Sequence, residues 1–536
     1  MSFMQSSLST ASEDYALNRD SYAERIRDLR EKRTIAQRGG SEKARQRHVD
    51  RGRMLPRHRV EALLDPGTPF LEVGQLAGLG MHEGVPPGGS LITGIGLISG
   101  RPMMIIANDS TVKGGTYYGI TCKKHVRAQM IAWENRIPCV TLVDSGGGFL
   151  PDQPKIFPDD GQFGSIFYNL ARMSADGLPQ IALILGPCTA GGAYIPAMCD
   201  EVVIVRGQGF TYLGGPELTK AATGETIDRK SLGGAKMHST VSGVTDHIAE
   251  DDAHGLAIVR EIVRNLGTPP ARRRQVAKPL PPKYDPMEIH GIVSRDAKVP
   301  TDTTEIIARL VDDSRFHEFK PGYGDTLHTG FARINGFDIG ILANKGVLFT
   351  ESGNKGAHFI DLCCQRDIPL LFLADVTGFM VGREAEESGI AKAGAKMINA
   401  VANASVPKYT ILIGGSYGAG YFGMCGRPFK PTAMFAWPNG RSAIMGPDQV
   451  ANTLLQVQHQ IRERDGLDPW TEGEDEAFRA PIRQEYEEFA DAYNYASNMW
   501  IDEVIAPEET RSVMTLLLDC AARLPQQDKR FAVFRM

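Results

Sequence analysis

The sequence predicts an α/β protein built from two copies of one domain that are related by internal duplication. Three observations support this prediction. Short apolar runs typical of buried strands alternate with longer helical periods, as in β-α-β units. Two long stretches of the chain can be aligned with each other. The 58 glycines cluster where apolar runs end, which is typical of tight turns and not of a disordered linker.

The repeated unit is an apolar run ending in Ala-Asn, a helical stretch, and a second apolar run ending in aspartate and glycine. The first copy reads IIANDSTVKGG and KKHVRAQMIAWENRIPCVTLVDSGG, and the second reads ILANKGVLFTE and NKGAHFIDLCCQRDIPLLFLADVTG. The alignment pairs Asn108 with Asn344 and Asp144 with Asp375. The next unit repeats too, since IFYNLARMSADGLPQIALILGPCTAGGAY corresponds to AKMINAVANASVPKYTILIGGSYGAGY. A repeat of this length predicts two copies of one domain.

The two copies are joined by a proline-rich segment, GTPPARRRQVAKPLPPKYDP, which is typical of a semi-rigid connector. We therefore predict an N-terminal tail over residues 1–20, a first domain over 21–275 and a second domain over 276–536. The strongly charged residues 20–55 are expected to form a solvated helix. The alternative is that some of its arginines bind phosphate groups of a ligand.

Composition excludes several classes of function. A net charge of −5 argues against nucleic acid as the main partner, and no apolar run is long enough to span a membrane. The first residues lack the apolar region of a secretory signal. The eight cysteines include no CxxC pair, which disfavours a zinc ribbon. We therefore expect a cytoplasmic enzyme without a metal site.

Each copy carries a small-residue turn between a strand and a helix, CTAGGAYIPAM in the first and GGSYGAGYFGM in the second. Such a turn leaves backbone N–H groups at a helix N-terminus, and small side chains let a substrate oxygen approach them. Two such amides form an oxyanion hole. The glycines could instead serve only close packing of strand on helix. Because both copies carry the turn, we expect two oxyanion sites, with the donors Gly191, Gly192, Ala193, Gly418, Ala419 and Gly420.

These motifs resemble those of the carboxyltransferase (β) subunit of biotin-dependent acyl-CoA carboxylases over nearly the whole chain. The resemblance includes RGRMLPRHRVEALLDPGTPFLEVG, DSGGGFLPDQPKIFPD, LGGAKMHSTVSGVTDH, TGFMVG and the terminal FAVFRM. It implies two tandem crotonase-like domains, each a ββα spiral, with acyl-CoA on the first domain and biotin on the second. It also implies that CO2 passes from carboxybiotin to an enolate of the acyl-CoA, in a site between subunits of a homo-oligomer with a hexameric β core.

The resemblance further implies that biotin is carried by a partner chain. A biotin acceptor reads Ala-Met-Lys-Met, whereas this sequence has only GAKM, at 234–237 and 394–397. A GxxxxGK[ST] phosphate loop does not occur either. We therefore expect biotin, ATP and Mg²⁺ to belong to a biotin carboxylase and biotin carrier α subunit, while coenzyme A enters as the thioester substrate.

The substrate is expected to contact residues beside the two turns, namely Gly146, Gly147, Gly148, Phe149, Tyr194, Gly214, Gly378, Phe379 and Tyr421. Members acting on methylcrotonyl-CoA usually read DSGGA(N/Y)LP and FLAGPPLVKAATGE, whereas this chain reads DSGGGFLP and YLGGPELTKAATGE. Smaller residues at Gly148 and Gly214 would admit a longer acyl chain. The sequence therefore slightly favours geranyl-CoA over 3-methylcrotonyl-CoA as the γ-carboxylated substrate, unless both changes lie outside the pocket.

Other readings of the chain remain open. It could serve a propionyl-CoA or other acyl-CoA carboxylase, or a biotin-dependent decarboxylase that runs the transfer backwards. A non-catalytic assembly subunit would need no functional turns, and a hydratase would need only one oxyanion hole. The histidines nearest the motifs, His125, His238, His247 and His358, are expected to be structural, since no side chain stands out as a catalytic base.

Overall fold

Both copies of the repeat contain the same alternation of strands and helices. We describe the protein from a computed structural model, over residues 3–274 and 276–528. Residue 275, at the predicted domain boundary, and the FAVFRM motif at 531–536 lie outside the described residues.

The first copy contains eleven helices and eight strands within its described residues. The helices are α1 (Glu13–Arg38), α2 (Glu42–Asp50), α3 (Pro56–Leu63), α4 (Gly119–Glu134), α5 (Gln153–Ile156), α6 (Phe163–Ala175), α7 (Gly191–Ala197), α8 (Pro216–Thr223), α9 (Arg229–Gly233), α10 (Ala235–Met237) and α11 (Asp252–Asn265). The strands are β1 (Leu71–Glu72), β2 (Leu91–Ile98), β3 (Arg101–Asn108), β4 (Cys139–Ser145), β5 (Gln180–Thr189), β6 (Glu201–Val205), β7 (Phe210–Tyr212) and β8 (His247–Ala249).

The second copy contains ten helices and nine strands within its described residues. The helices are α12 (Ile289–Ile292), α13 (Thr303–Leu310), α14 (Thr350–Arg366), α15 (Arg383–Glu387), α16 (Ile390–Asn403), α17 (Gly418–Gly423), α18 (Pro447–Arg464), α19 (Glu472–Ala490), α20 (Ala492–Ser497) and α21 (Thr510–Ala521). The strands are β9 (His317–Glu318), β10 (Leu327–Ile334), β11 (Phe337–Asn344), β12 (Gly346–Leu348), β13 (Leu370–Phe379), β14 (Lys408–Tyr417), β15 (Ala433–Ala436), β16 (Arg441–Ala443) and β17 (Glu503–Val504).

The two sheets have matching topologies. The first has the order β1-β2-β3-β4-β5-β6-β8 with β7 on β5. The second has the order β9-β10-β11-β13-β14-β15-β17 with β16 on β14, and it adds β12 on β13. In each sheet an antiparallel hairpin, β2–β3 or β10–β11, leads into parallel strands. The parallel strands are buried on both faces: Val140 and Leu142 of β4 contribute to one apolar cluster and Val143 to another.

Buried polar contacts repeat along with the strands. The side chain of Asn108 accepts the amide N–H of Asp144 at 3.3 Å, and that of Asn344 accepts the amide N–H of Asp375 at 2.9 Å. These contacts join the paired residues that the sequence alignment identified.

The repeat also extends beyond the aligned stretches. Asp65 accepts the amide N–H groups of the β2–β3 turn, and Asp312 accepts those of the β10–β11 turn. Each aspartate also forms an ion pair with an arginine of the last helix of its copy. Asp65 pairs with Arg260 of α11 at 2.7 Å, and Asp312 pairs with Arg511 of α21 at 3.0 Å. The duplication therefore includes the β2–β3 and β10–β11 hairpins and the helices α11 and α21.

The chain forms two compact units, and each unit contains more than one stretch of the sequence. The first unit contains residues 30–272 with 496–503, and the second unit contains the remaining described residues. Asp502, in the segment 496–503 of the first unit, is fully buried. Both of its carboxylate oxygens accept hydrogen bonds from the Arg127 guanidinium, each at 2.8 Å. Helix α1 begins at Glu13, before the predicted end of the tail, and Ser7 donates its amide N–H to Glu305. The predicted domain limits at 20 and 275 stay a prediction, while contacts change from one unit to the other at 29 and 272.

Candidate active site

The first small-residue turn follows β5 and contains a strained residue. Ala190 has φ +53°, a conformation that residues with a Cβ rarely adopt. Its amide N–H donates to the Tyr212 carbonyl of β7 at 3.2 Å, and its carbonyl accepts the amide N–H of Ala193 at 3.0 Å. Backbone strain of this kind persists where the surrounding structure enforces it, often at functional sites.

The amides of Gly191 and Gly192 are the donors that this turn leaves available. As first-turn residues of α7 they have no partner inside the helix, and no acceptor elsewhere in the described chain takes them. A Cβ at Gly192 would lie 3.9 Å from Ser145 Oγ, and one at Gly191 would lie 3.3 Å from the Phe163 ring. Ala193 differs from the other two predicted donors, because its N–H is already bonded within the turn.

The triple-glycine loop lies beside this turn, as the sequence predicts. A Cβ at Gly147 would lie 3.7 Å from the Thr189 carbonyl oxygen at the end of β5. Ser145 Oγ holds the loop, since it accepts the amide N–H of Gly147 at 3.2 Å and donates to the Gly115 carbonyl at 2.9 Å. Sequence reasoning missed Ser145, although it lies inside the quoted DSGGG motif.

The other predicted contacts of the first copy differ in their exposure and surroundings. Gly148 is exposed, and a Cβ there would lie 3.6 Å from Ile156. Tyr194 is 45% exposed. Gly214 follows β7, and a Cβ there would lie 3.1 Å from Leu218.

The second turn follows β14 and has a similar geometry. Gly418 has φ +55°, which glycine adopts without a steric cost. Gly420 is buried, and a Cβ there would lie 2.6 Å from Val376 Cγ2 and 3.1 Å from Gly378 Cα. Ala419 is exposed. The structure therefore brings Gly378 next to the second turn, and apart from its chain neighbours no heavy atom of the described residues lies within 4 Å of its Cβ position.

The side chains of Phe379 and Tyr421 pack inside the second unit. The Phe379 ring would lie 3.3 Å from a Cβ at Gly394 of α16 and at Gly423 of α17. The Tyr421 hydroxyl accepts the amide N–H of Arg427 at 2.9 Å, and burial raises the pKa of Tyr421 to about 12. Both residues nevertheless remain partly exposed.

The structural equivalence of the two turns is shifted by one residue from the sequence alignment. Strand register pairs Ser145 with Cys188 in the first sheet and Val376 with Ser416 in the second. The residue with positive φ comes two positions after Cys188 and two positions after Ser416. Gly191 and Gly192 thus correspond to Ala419 and Gly420, and Tyr194 corresponds to Phe422 and not to Tyr421. Both Tyr194 and Phe422 are partly exposed, at 45% and 38%.

Each of the four histidines nearest the motifs has a hydrogen bond or a ring contact within the chain. The His125 ring is hydrogen-bonded to the Tyr117 hydroxyl at 3.0 Å, and burial lowers its pKa to about 3. His238 is bonded to the Thr211 carbonyl oxygen at 2.7 Å through Nε2. His247 is bonded to a glutamate, and the ring of His358 packs edge-on against a phenylalanine.

The two strand-end aspartates have different partners. Asp144 is buried beside the Arg59 guanidinium at 3.1 Å and accepts the Ser110 hydroxyl at 2.7 Å. Asp375 accepts the amide N–H groups of Thr301 at 2.7 Å and Gly415 at 3.0 Å, and burial raises its pKa. Both carboxylates brace the strand ends from which the turns project. A Cβ would collide with them at Gly186 and at Gly414, which explains these two glycines.

Within the described residues, no set of three or more histidine, cysteine, aspartate or glutamate side chains is arranged to hold a metal ion. None of the described helices has a stretch that is both long and apolar enough to cross a bilayer.

Comparison with known proteins identifies the family of this chain. Residues 47–533 match the carboxyl transferase domain family. The chain is 52% identical to the biotin-dependent 3-methylcrotonyl-coenzyme A carboxylase beta1 subunit of Mycobacterium tuberculosis, over 96% of this chain and 98% of that protein. It is 54% identical to the mitochondrial methylcrotonoyl-CoA carboxylase beta chain of Arabidopsis thaliana, over 93% of this chain and 86% of the relative.

A solved structure extends the likeness to the whole fold. The beta subunit of P. aeruginosa geranyl-CoA carboxylase has a TM-score of 0.89 and 38% identity to this chain, covering 100% of this chain and 99% of that one. The predicted class, α/β with two tandem crotonase-like domains, is confirmed. The chain therefore belongs to the carboxyl transferase domain family, as the carboxyltransferase subunit of an acyl-CoA carboxylase.

Proposed function

We propose that this chain transfers a carboxyl group from biotin on a partner subunit to the γ carbon of a 3-methyl-branched enoyl-CoA, with 3-methylcrotonyl-CoA as the substrate. The observation that carries the proposal is the pair of equivalent turns, each presenting two consecutive backbone amides. One copy of the duplicated fold would serve each of the two carbonyl compounds in the reaction.

The first turn suits the acyl thioester. The amides of Gly191 and Gly192 are free to donate to the thioester oxygen, which gains negative charge when the substrate becomes an enolate. In a 3-methyl-2-enoyl thioester the double bond extends this charge to the γ carbon. The turn is rigid because Ala190 is bonded at both its N–H and its carbonyl, so the donors need no reorganisation during the reaction.

The second turn suits the ureido oxygen of biotin. The amides of Ala419 and Gly420 correspond to those of Gly191 and Gly192, and a Cβ at Gly378 would meet no atom of the described residues within 4 Å beyond its chain neighbours. A Cβ at Gly378 or Gly420 would narrow this cradle. When bound there, carboxybiotin supplies the carboxyl group, and this chain contributes the amides that orient it.

No proton transfer is assigned to the four histidines near the motifs. Each is committed to a structural contact, and His125 is held neutral by burial. The contribution of this chain is therefore position and the stabilisation of charge by backbone dipoles.

The choice of 3-methylcrotonyl-CoA follows from two observations. Two relatives named for that substrate are 52% and 54% identical to this chain. In addition, a methyl group at Gly148 or Gly214 would contact Ile156 or Leu218 of this chain, at 3.6 Å and 3.1 Å. The two glycines therefore add little room for a longer acyl chain. Geranyl-CoA, which the sequence slightly favours, stays the second candidate because of the fold-wide likeness to a geranyl-CoA carboxylase subunit.

The partners follow from the same relatives. Because these are beta subunits of biotin-dependent enzymes, we propose an α subunit that carries biotin and uses ATP and Mg²⁺. We also propose a hexameric β core, with sites between subunits, and a cytoplasmic location.

The test is carboxylation by the reconstituted holoenzyme. This chain is combined with its biotin-carrying subunit, ATP, Mg²⁺ and labelled bicarbonate, and offered 3-methylcrotonyl-CoA, geranyl-CoA and propionyl-CoA. Label in 3-methylcrotonyl-CoA with the highest kcat/KM supports the proposal. Preference for geranyl-CoA selects the second candidate, and preference for propionyl-CoA overturns the substrate class. Release of CO2 from a carboxylated thioester without net incorporation indicates a decarboxylase, and no label in any thioester indicates an assembly subunit.

A further inference from the structure

Three aromatic rings connect a glycine-rich loop to the segment that follows the triple glycine. The ring of His82, in the loop of residues 79–87, packs at a tilt of 37° against that of Tyr118, with ring centroids 4.6 Å apart. The Tyr118 ring packs at a tilt of 46° against that of Phe149, at 4.8 Å. We call these three residues the His82 ladder. Phe149 directly follows Gly148, so the ladder ends at the candidate acyl site.

The imidazole of His82 also faces a carboxylate of the same segment. His82 Nε2 lies 3.6 Å from Asp152 Oδ2, a buried oxygen that accepts no hydrogen bond from the described chain. Asp152 is tied to the ladder, since its amide N–H donates to the Phe149 carbonyl at 2.9 Å. A buried oxygen without a donor is unfavourable, and the His82 imidazole is placed to relieve this.

The tip of the loop has few other attachments. Within the described part of the chain, and leaving out chain neighbours, no heavy atom lies within 4 Å of a Cβ position at Gly80, and only Lys113 Nζ does so at Gly84, at 3.9 Å. Met81 is 41% exposed. Among the residues described, the ring contact with Tyr118 and the contact with Asp152 are therefore the main links between the loop tip and residues 149–152.

Backbone hydrogen bonds connect Phe149 to the first turn, so a displacement of Phe149 would alter the position of that turn. The amide N–H of Phe149 donates to the Tyr117 carbonyl at 2.7 Å, and the amide N–H of Tyr117 donates to the Gly147 carbonyl at 2.9 Å. Gly147 in turn lies beside Thr189 at the end of β5.

We propose that His82 is a positioning residue for the acyl end of the substrate, because it holds Phe149 and residues 149–152 beside the first turn. The inference rests on the proposed function, since it requires acyl-CoA to bind at that turn. It adds a residue outside the motifs that carry the family resemblance.

The experiment compares variants of the reconstituted holoenzyme. His82→Ala and Asp152→Asn are assayed for KM and kcat with 3-methylcrotonyl-CoA, and for inhibition by free CoA, which lacks the acyl group. Met81→Ala is the matched control, because it removes an exposed side chain from the same loop. We expect His82→Ala to raise KM about tenfold, equivalent to about 1.4 kcal/mol, with kcat changed by less than about twofold. The inhibition constant of CoA and all values for Met81→Ala should match the wild type.

Two further comparisons separate positioning from a general structural effect. The double variant of His82 and Asp152 should resemble the single variants, because both changes break one link. His82→Phe keeps an aromatic ring against Tyr118 but loses the contact with Asp152. Its KM should therefore lie between those of the wild type and His82→Ala.

Several outcomes would overturn the inference. They are an unchanged KM in His82→Ala, an equal rise in the inhibition constant of CoA, or fully additive effects in the double variant. If His82→Ala fails to fold, an unchanged KM in both His82→Phe and Asp152→Asn overturns it. A wild-type holoenzyme that carboxylates no acyl-CoA overturns the proposed function together with this inference, whereas an active wild type with an unaffected His82→Ala overturns this inference alone.

Discussion

Substitution of Gly192 by valine tests the first oxyanion turn directly. A Cβ at this position would meet Ser145 at 3.9–4.0 Å, an ordinary contact, and Gly192 has no positive φ. Valine costs less than glycine in a helix, so the free energy of unfolding should change by less than about 1 kcal/mol. The added methyl groups would nevertheless obstruct the path of an oxygen to the two amides. Loss of one oxyanion donor typically lowers turnover by about 10²–10³, or about 2.7–4 kcal/mol of transition-state stabilisation.

The assay is labelled bicarbonate incorporation by the holoenzyme, with denaturant unfolding and subunit assembly measured on the same preparations. Gly164→Val is the matched control, because Gly164 lies in a helix of the same unit and, outside that helix, no described residue has a heavy atom within 4 Å of its Cβ position. We expect both variants to assemble, and only Gly192→Val to lose turnover. Gly420 offers no such clean test, since a Cβ would collide with Val376. Turnover above about one third of the wild type in a folded, assembled Gly192→Val would refute the oxyanion assignment.

The remaining predictions concern the second turn, two buried contacts and one titrating group. Ala419→Val, on an exposed residue, should abolish transfer to acyl-CoA while assembly persists; normal turnover in the bicarbonate assay would contradict the assignment of the second turn. Asp502→Asn should lower the free energy of unfolding by about 3–5 kcal/mol in a denaturant titration, because it leaves Arg127 buried without its carboxylate; a loss below about 1 kcal/mol would contradict this. Ser145→Ala should destabilise by about 1–3 kcal/mol, whereas Ser416→Ala, which removes a buried hydroxyl without a hydrogen-bond partner in the described chain, should change unfolding by less than about 0.5 kcal/mol; equal losses would count against the role of Ser145. Because burial lowers the pKa of His125 to about 3, the native state excludes a proton that the unfolded chain binds below about pH 6.5, so stability should fall by up to about 1.4 kcal/mol per unit as pH decreases from 6.5 towards 3. His125→Gln should remove that part of the slope in unfolding measured at several pH values, and an unchanged slope would contradict it.

Much of the fold and part of the site followed from local pattern. The alternation of apolar runs with helical periods predicts strands and helices, because each periodicity directs side chains to one face of an element. The pairs Asn108 with Asn344 and Asp144 with Asp375 were visible in the aligned stretches, and the structure gives both pairs the same hydrogen bond. The turns themselves could be located because few sequences place so many small residues between a strand and a helix.

The equivalence of the turns could not be read from the sequence. Matching tyrosines aligned Tyr194 with Tyr421, whereas strand register and backbone conformation match Tyr194 with Phe422. A shift of one residue hardly alters a sequence alignment, but it changes which residue has the positive φ and which amides begin the helix. It therefore decided which amides of the two turns correspond.

The sequence by itself determined the α/β class, the duplication and the position of the small-residue turns, because these depend on spacing along the chain. Tertiary structure alone decided that the amide of Ala193 is occupied, that Asp502 pairs with Arg127, and that His82 reaches Asp152. Each of these contacts joins groups whose approach depends on how the backbone turns or how distant segments pack. Local periodicity carries no information about that packing.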